Sequence, residues 1–276
     1  MNLFLPLATY PDPVDESHLT AAVELAVHLQ ATITAAGVEV DIPDVKNKFA
    51  EAILNLSEQI RAAERASSAH AAQLMQKLAE IAGSAGVAVS ADRIRAKLAF
   101  LDDAIVRHSH FHDLVVLPAP PGDVTAKATA EAVIFGSGRP VLLFPGAGAA
   151  PPKFGTVMLA TDFSRVATRA MFDALPFLTR AAKILAVTAV DEKDVSHGNR
   201  TALAAFFARQ GLAADILQIE TRGKDIGMVL QDHLDHLGGG LLVMGAFGHS
   251  RMRDFVLGGA TRSVLADLRH PVLMSS

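Results

Sequence analysis

Leu241-Leu242-Val243-Met244-Gly245-Ala246-Phe247-Gly248 carries four apolar residues straight into a turn punctuated by glycine. Four residues are too few for a helix. Unbroken by polar side chains, they suit a strand buried on both faces. Working outward, residues 157–160, 184–190, 213–220 and 271–274 read as further short strands of aliphatic residues. Residues 164–180, 200–210, 225–236 and 254–268 read as helices between them. Ser164 is placed as an N-cap, and Gly211 and Gly238-Gly239-Gly240 as stops. Short apolar strands alternating with helices predict right-handed crossovers and a parallel sheet covered on both faces. Such sheets bind ligands beyond the strand carboxyl ends, where the topology switches.

The first half echoes this order. The run from Leu3 to Thr9 parallels that from Val157 to Thr161. Leu114-Val115-Val116-Leu117 parallels Leu241-Leu242-Val243-Met244, and Pro140-Val141-Leu142-Leu143 parallels Pro271-Val272-Leu273-Met274. Self-similarity of this kind predicts two tandem repeats. The first pair lies further apart than the others, which places an insertion of about 20 residues in the first half. Residues 46–81 account for it. Phe49, Ile53, Leu56, Ile60, Leu74, Leu78 and Ile81 recur mostly at threes and fours, the spacing of a helix. Residues 62–72 are rich in Ala and Ser and thinly apolar, so a break is expected there. Pro145-Gly146-Ala147-Gly148-Ala149-Ala150-Pro151-Pro152 keeps no period and reads as a linker. The domains are therefore drawn as 1–145 and 154–276, joined by 146–153. The fold class is α/β: two repeats, each a five-stranded, mostly parallel, Rossmann-like sheet with helices on both faces.

Composition excludes several functions. The chain of 276 residues contains no Cys, which removes disulfides, thiol catalysis and cysteine metal sites. A net charge of −4 argues against nucleic acid as a partner. No apolar run reaches the ~18 residues of a membrane span. Met1-Asn2-Leu3-Phe4-Leu5-Pro6 has no basic region ahead of its apolar residues, so a cytoplasmic location is expected.

The stretch from Met244 to Thr261 follows a strand and runs into a helix. It holds Gly245, Gly248, Gly258 and Gly259. Glycine lets backbone approach a ligand closely, and N–H groups at a helix start favour anions. Arg251, Arg253 and Arg262 cluster around it. Residues 1–150 carry 11 basic and 17 acidic side chains, a net of −6, and residues 151–276 carry 14 and 12, a net of +2. Other polar groups read as solvated surface: His108, His110 and His112 across a turn, and Asp232, His233, Asp235 and His236 on a helix face. His249, Ser250 and Asp254 lack the G-x-S-x-G elbow of a hydrolase.

Gly245-x2-Gly248-x9-Gly258 resembles the nucleotide-binding signature of the universal stress protein (UspA-like) family, G-x2-G-x9-G-[ST]. The resemblance covers residues 154–276 well and the first half by strand order alone. It implies an adenine nucleotide alpha hydrolase-like fold and a bound ATP or AMP, with Mg alongside ATP. It implies that Asp162 hydrogen-bonds adenine and that the backbone at Val190 contacts the base. It further implies that Met244, Gly245, Gly248 and His249 approach ribose and phosphates, and that Gly258 cradles phosphate. Gly259 stands where the signature has Ser or Thr, and Thr261 is the nearest substitute hydroxyl. In the first half Leu117-Pro118-Ala119-Pro120-Pro121-Gly122 replaces the glycine loop, so no nucleotide is expected there. The resemblance also implies antiparallel contact between the last strands of the halves, a pseudo-dimer, and a homodimer as a further partner state. No general base, metal cluster or catalytic Lys stands out, so at most slow ATP hydrolysis is expected. The alternatives are a nucleotide-independent, stress-related interaction protein with both sites degenerate, and a related adenylating enzyme, for which no further signature is present.

Overall fold

The computed structural model describes residues 1–43, 56–146, 152–190, 197–246 and 259–276. By compactness the chain divides into Met1–Val116 and Leu117–Ser276. This criterion differs from division by repeat at the linker, most of which (residues 147–151) lies outside the described residues.

The first unit contains β1 (Asn2–Ala8), α1 (Glu16–Leu29), β2 (Thr32–Asp41), α2 (Leu56–Ala85) and β3 (Val89–Lys97). A short 3-10 turn (Leu98–Phe100), α3 (Leu101–Ser109) and β4 (Leu114–Pro118) follow, the last strand ending just past the division. Its strands run in the order β3-β2-β1-β4, and the β1–β2, β2–β3 and β1–β4 pairs are parallel. Leu3, Phe4, Leu5 and Leu7 of β1 are all but fully buried, which explains why this strand is apolar without alternation.

Helix α2 corrects the sequence reading. Its 30 residues run unbroken through the Ala- and Ser-rich stretch where a break was expected. Those residues are small because the helix passes close to the sheet. A Cβ on Gly37 of β2 would lie 2.9 Å from the Cβ of Ala71. Beside this contact a chain of hydrogen bonds has its donors fixed by elimination. Thr9 Oγ1 donates to Val38 O (2.6 Å), so Ser67 Oγ donates to Thr9 Oγ1 (2.6 Å) and accepts from Val40 N (3.1 Å). Thr9 and Ser67 are each 1 % exposed. Ser67→Ala leaves the buried Val40 N–H without its acceptor. It should therefore destabilise this unit by about 1–3 kcal/mol. Urea unfolding followed by the fluorescence of Tyr10, the chain's one tyrosine, reads this change. A loss below about 0.5 kcal/mol would show that the hydroxyl chain does not hold helix to sheet.

The second unit contains α4 (Val124–Gly136), β5 (Val141–Phe144), β6 (Thr156–Ala160), α5 (Arg165–Asp173), α6 (Leu175–Leu178) and β7 (Lys183–Val190). It continues with α7 (His197–Arg209), β8 (Asp215–Glu220), α8 (Ile226–His236), β9 (Leu241–Gly245), α9 (Gly259–Ala266) and β10 (Val272–Ser275). The strand order is β5-β10-β9-β6-β7-β8. Every pair described in it is parallel except β5–β10, where Val272, Leu273 and Met274 lie opposite Leu143, Leu142 and Val141 in antiparallel register. This is the contact expected between the last strands of the two repeats, and it groups β5 with the second unit. The fold is α/β with a mostly parallel sheet, as read from the alternation of strands and helices.

One helix is split. Residues 164–180 were read as a single helix, yet α5 stops at Asp173 and α6 starts at Leu175. Pro176 has no N–H to continue the ladder and is tolerated only in the first turn of a new helix. Ser164 caps α5 as expected, its side chain accepting from Ala167 N at 3.3 Å. The other end of the unit is clamped by Arg269. Its guanidinium donates to Asp232 Oδ1 (2.8 Å) and pairs with Asp235, while Gln231 Nε2 donates to Asp267 O (2.6 Å). The hydrogen bond from Arg269 holds the Asp232 carboxyl below its usual range.

Candidate functional site

In the second unit β6 lies between β9 and β7. The chain leaves β6 for β7 on one side and reaches β9 and β10 on the other, so the topology switches between β6 and β9. Asp162, Val190 and Gly245 emerge at the carboxyl ends of these three adjacent strands. The sequence separates them by up to 83 positions; the fold brings them to one edge.

The turn after β6 is tightly specified. Thr161 N donates to Val187 O at 2.9 Å, and Phe163 N donates to Thr161 Oγ1 at 3.1 Å. Phe163 sits at φ 60, a conformation rare for a side chain of its size. Asp162 is exposed, and its Oδ1 accepts from Ser164 N at 3.0 Å. The carboxylate is thereby oriented by backbone just ahead of α5. Positive φ at Phe163 is the feature of this turn that the sequence did not disclose.

Gly245 ends β9 against the first turn of α5. A Cβ there would lie 2.5 Å from Ala167 N and 2.6 Å from Val166 C. Glycine is thus required by packing, whatever binds beyond it. Met244 is 4 % exposed, so its side chain belongs to the core and only its backbone borders the edge. Ala246 N donates to Ser275 O at 2.7 Å, which holds the start of the loop onto β10.

Gly248, His249 and Gly258 lie outside the described residues, as do Arg251 and Arg253. On the far side of that stretch Gly259 opens α9, and a Cβ on it would meet nothing within 4 Å among the described residues. Thr261 is 3 % exposed within the first turn of α9. Val190 closes β7 opposite Glu220 of β8.

The corresponding edge of the first unit is arranged differently. Thr9 follows β1 as Thr161 follows β6, but its hydroxyl is engaged by Val38 and Ser67 and its carbonyl by His70 Nδ1 (3.2 Å). Burial alone would push Glu39 up. Hydrogen bonds from Arg93 (2.6 Å) and Ser68 outweigh it and hold the carboxyl below its usual range. Helix α2 thus supplies Ser67, Ser68 and His70 to the strand ends of the first unit. His108, His110 and His112 do straddle the turn between α3 and β4. His112 stacks on Phe4 at 4.6 Å and bonds Asn2 Oδ1 at 2.6 Å. Among the described residues no group of His, Asp and Glu could hold a metal ion.

Residues 153–276 match the sequence model of the Universal stress protein family. The second half is a universal stress protein domain. Among solved structures, a universal stress protein from Archaeoglobus fulgidus DSM 4304 is 15 % identical, with 100 % of this chain and 98 % of that one covered at a TM-score of 0.71. A functionally unknown protein from Pseudomonas aeruginosa PAO1 is also 15 % identical, covering 99 % and 92 % at a TM-score of 0.59. At this identity the likeness concerns fold, and it extends over both repeats. No curated protein matches the chain. Among the described residues no helix is long and apolar enough to cross a membrane.

Proposed function

We propose that the universal stress protein domain binds an adenine nucleotide, ATP or AMP, and that the chain serves as a stress-response binding or signalling module. The observation that carries this reading is the convergence of Asp162, Val190 and Gly245 at the switch point, with the glycine sequence leaving β9. Asp162 presents a backbone-oriented carboxylate, the acceptor that an adenine amino group requires. The backbone at Val190 borders the base. Gly245, Gly248 and Gly258 keep side chains out of the phosphate path, with His249 and Thr261 as polar neighbours and Mg as a counter-ion for ATP. The first repeat takes no nucleotide and acts as a structural partner. The filled strand ends under α2 and the β5–β10 pairing support that role. With no catalytic group assigned, hydrolysis is slow at most.

Nucleotide released by denaturing the purified protein, followed by calorimetric titration with ATP, tests this. About one nucleotide per chain is expected. Asp162→Ala should weaken ATP binding about tenfold or more, the scale of a hydrogen bond to a charged group. Gly259→Ser has room for its side chain and restores the hydroxyl of the family signature. It should tighten binding about fivefold. No released nucleotide and no heat on adding ATP would favour the nucleotide-independent interaction protein instead.

A further inference from the structure

We propose that a groove between the carboxyl end of β8 and helix α8 holds the phosphate group of a small phosphorylated molecule, through Thr221, Arg222 and Lys224. The groove lies at β8, beside Val190 at the outer end of the same strand edge, and its argument does not rest on the nucleotide reading. The groove has a volume of about 260 Å³, room for a phosphate head and a substituent beyond it. Ile219 and Thr221 are two apart along the strand direction, so they share the side that faces the groove.

Thr221 carries the argument. It is 2 % exposed, it lines the groove, and among the described residues its hydroxyl has no hydrogen-bond partner. An unmade buried hydroxyl is costly, whereas the buried hydroxyls of Thr9 and Ser67 are fully used. A turn of χ1 presents the proton to an acceptor in the groove.

The chain after Thr221 bends through left-handed conformations at Arg222 (φ 52) and Gly223 (φ 74), and Lys224 N donates back to Thr221 O at 3.0 Å. That turn brings two cationic residues to the groove beside the hydroxyl. The acidic residues of the lining are already matched. Asp232 is bound by Arg269 at 2.8 Å, and Glu220 by Arg222 Nε at 3.2 Å. The Glu220–Arg222 pair is exposed on both sides and engages Arg222 through Nε, so the guanidinium has further N–H donors to offer an oxyanion while it keeps Glu220 matched. Ile219 and Val229 supply apolar wall, which strengthens charge-assisted bonds. At the far end His236 lines the groove, its Nδ1 donating to the Asp232 carbonyl.

The test uses the full chain and inorganic phosphate as probe, with chloride held at matched ionic strength, read by amide chemical shifts. Saturable shifts are expected at residues 221–224, with 244–246 unmoved. Thr221→Val should weaken binding about fivefold and Lys224→Gln about tenfold, while Lys224→Arg keeps it. Each variant is checked for unchanged folding by circular dichroism. Shifts confined to residues 244–246 and 259–261 would place the anion at the glycine loop and overturn the proposal. So would a linear drift without saturation, or equal affinity in wild type, Thr221→Val and Lys224→Gln.

Discussion

Gly245→Ala is expected to destabilise the second unit by about 3 kcal/mol, the upper end of what overpacking costs. The added Cβ would stand 2.5 Å from Ala167 N and 2.6 Å from Val166 C. Both are backbone atoms of α5, so no side chain can rotate out of the way. The helix is itself tied down. Ser164 caps it, Asp162 holds Ser164 N, and Thr168 Oγ1 donates to Ser164 O at 2.9 Å. Relief therefore requires β9 or α5 to move. Gly259→Ala is the matched control, because nothing among the described residues lies within 4 Å of its new Cβ. It should change stability by about 0.5 kcal/mol or less. Urea unfolding of both variants, followed by circular dichroism, makes the comparison. Similar losses in the two would mean that α5 does not press on β9 as described. The result bears on the nucleotide site too. A fall in ATP affinity on changing Gly245 reports a displaced helix as much as a blocked ligand. Gly259 is the cleaner position for testing ligand contact, because Asp162 also holds Ser164 N.

Gly245 also shows how a sequence signature and a packing constraint coincide. The strand before it was legible because a strand buried on both faces leaves an unbroken apolar run: residues 241–243 are fully buried. Whereas the antiparallel contact of the last strands was implied by the family resemblance, the same logic recovered β6, β7 and β10. It failed where small residues carried the information. In residues 62–72 the missing hydrophobes read as a weakened helix, although Ala71 is small because Gly37 lies beneath it and Ser67 bonds Thr9 and Val40. A pattern of apolar residues records which face is buried, not how close two backbones come. The split at Pro176 has the opposite origin. Its cause is local and visible, but the apolar period on either side bridges it. At the candidate sites, the glycines announced themselves by spacing, and Asp162 was implied by the family resemblance. Thr221 did not, since an unpartnered hydroxyl is a property of its surroundings. His233 and His236 read as a solvated helix face and prove to line a groove.

Acidification is expected to weaken the first unit through His18, and His18→Leu to remove that part of the response. His18 is 5 % exposed in the first turn of α1. Burial pushes its imidazole down to about 4, against the pull of the nearby Asp15 carboxylate. A cation near a helix N-terminus is disfavoured as well. The unfolded chain takes up the proton near pH 6.5, while the folded chain resists until about pH 4. Between these values the unfolded state binds more protons, so stability falls as pH falls. The loss is about 1.4 kcal/mol per pH unit, or roughly 3 kcal/mol in all, and it levels off below pH 4. Carboxylates such as Glu39 and Asp232, held low by Arg93 and Arg269, give up their contribution in the acid range too. A single acid titration would mix these effects. The difference between wild type and His18→Leu separates them, because every carboxylate is common to both. Urea unfolding at pH 7 and pH 4.5, read through Tyr10 in the same unit, should show the wild type losing about 2–3 kcal/mol more than the variant. Equal losses would mean that His18 is protonated in the folded protein with no penalty.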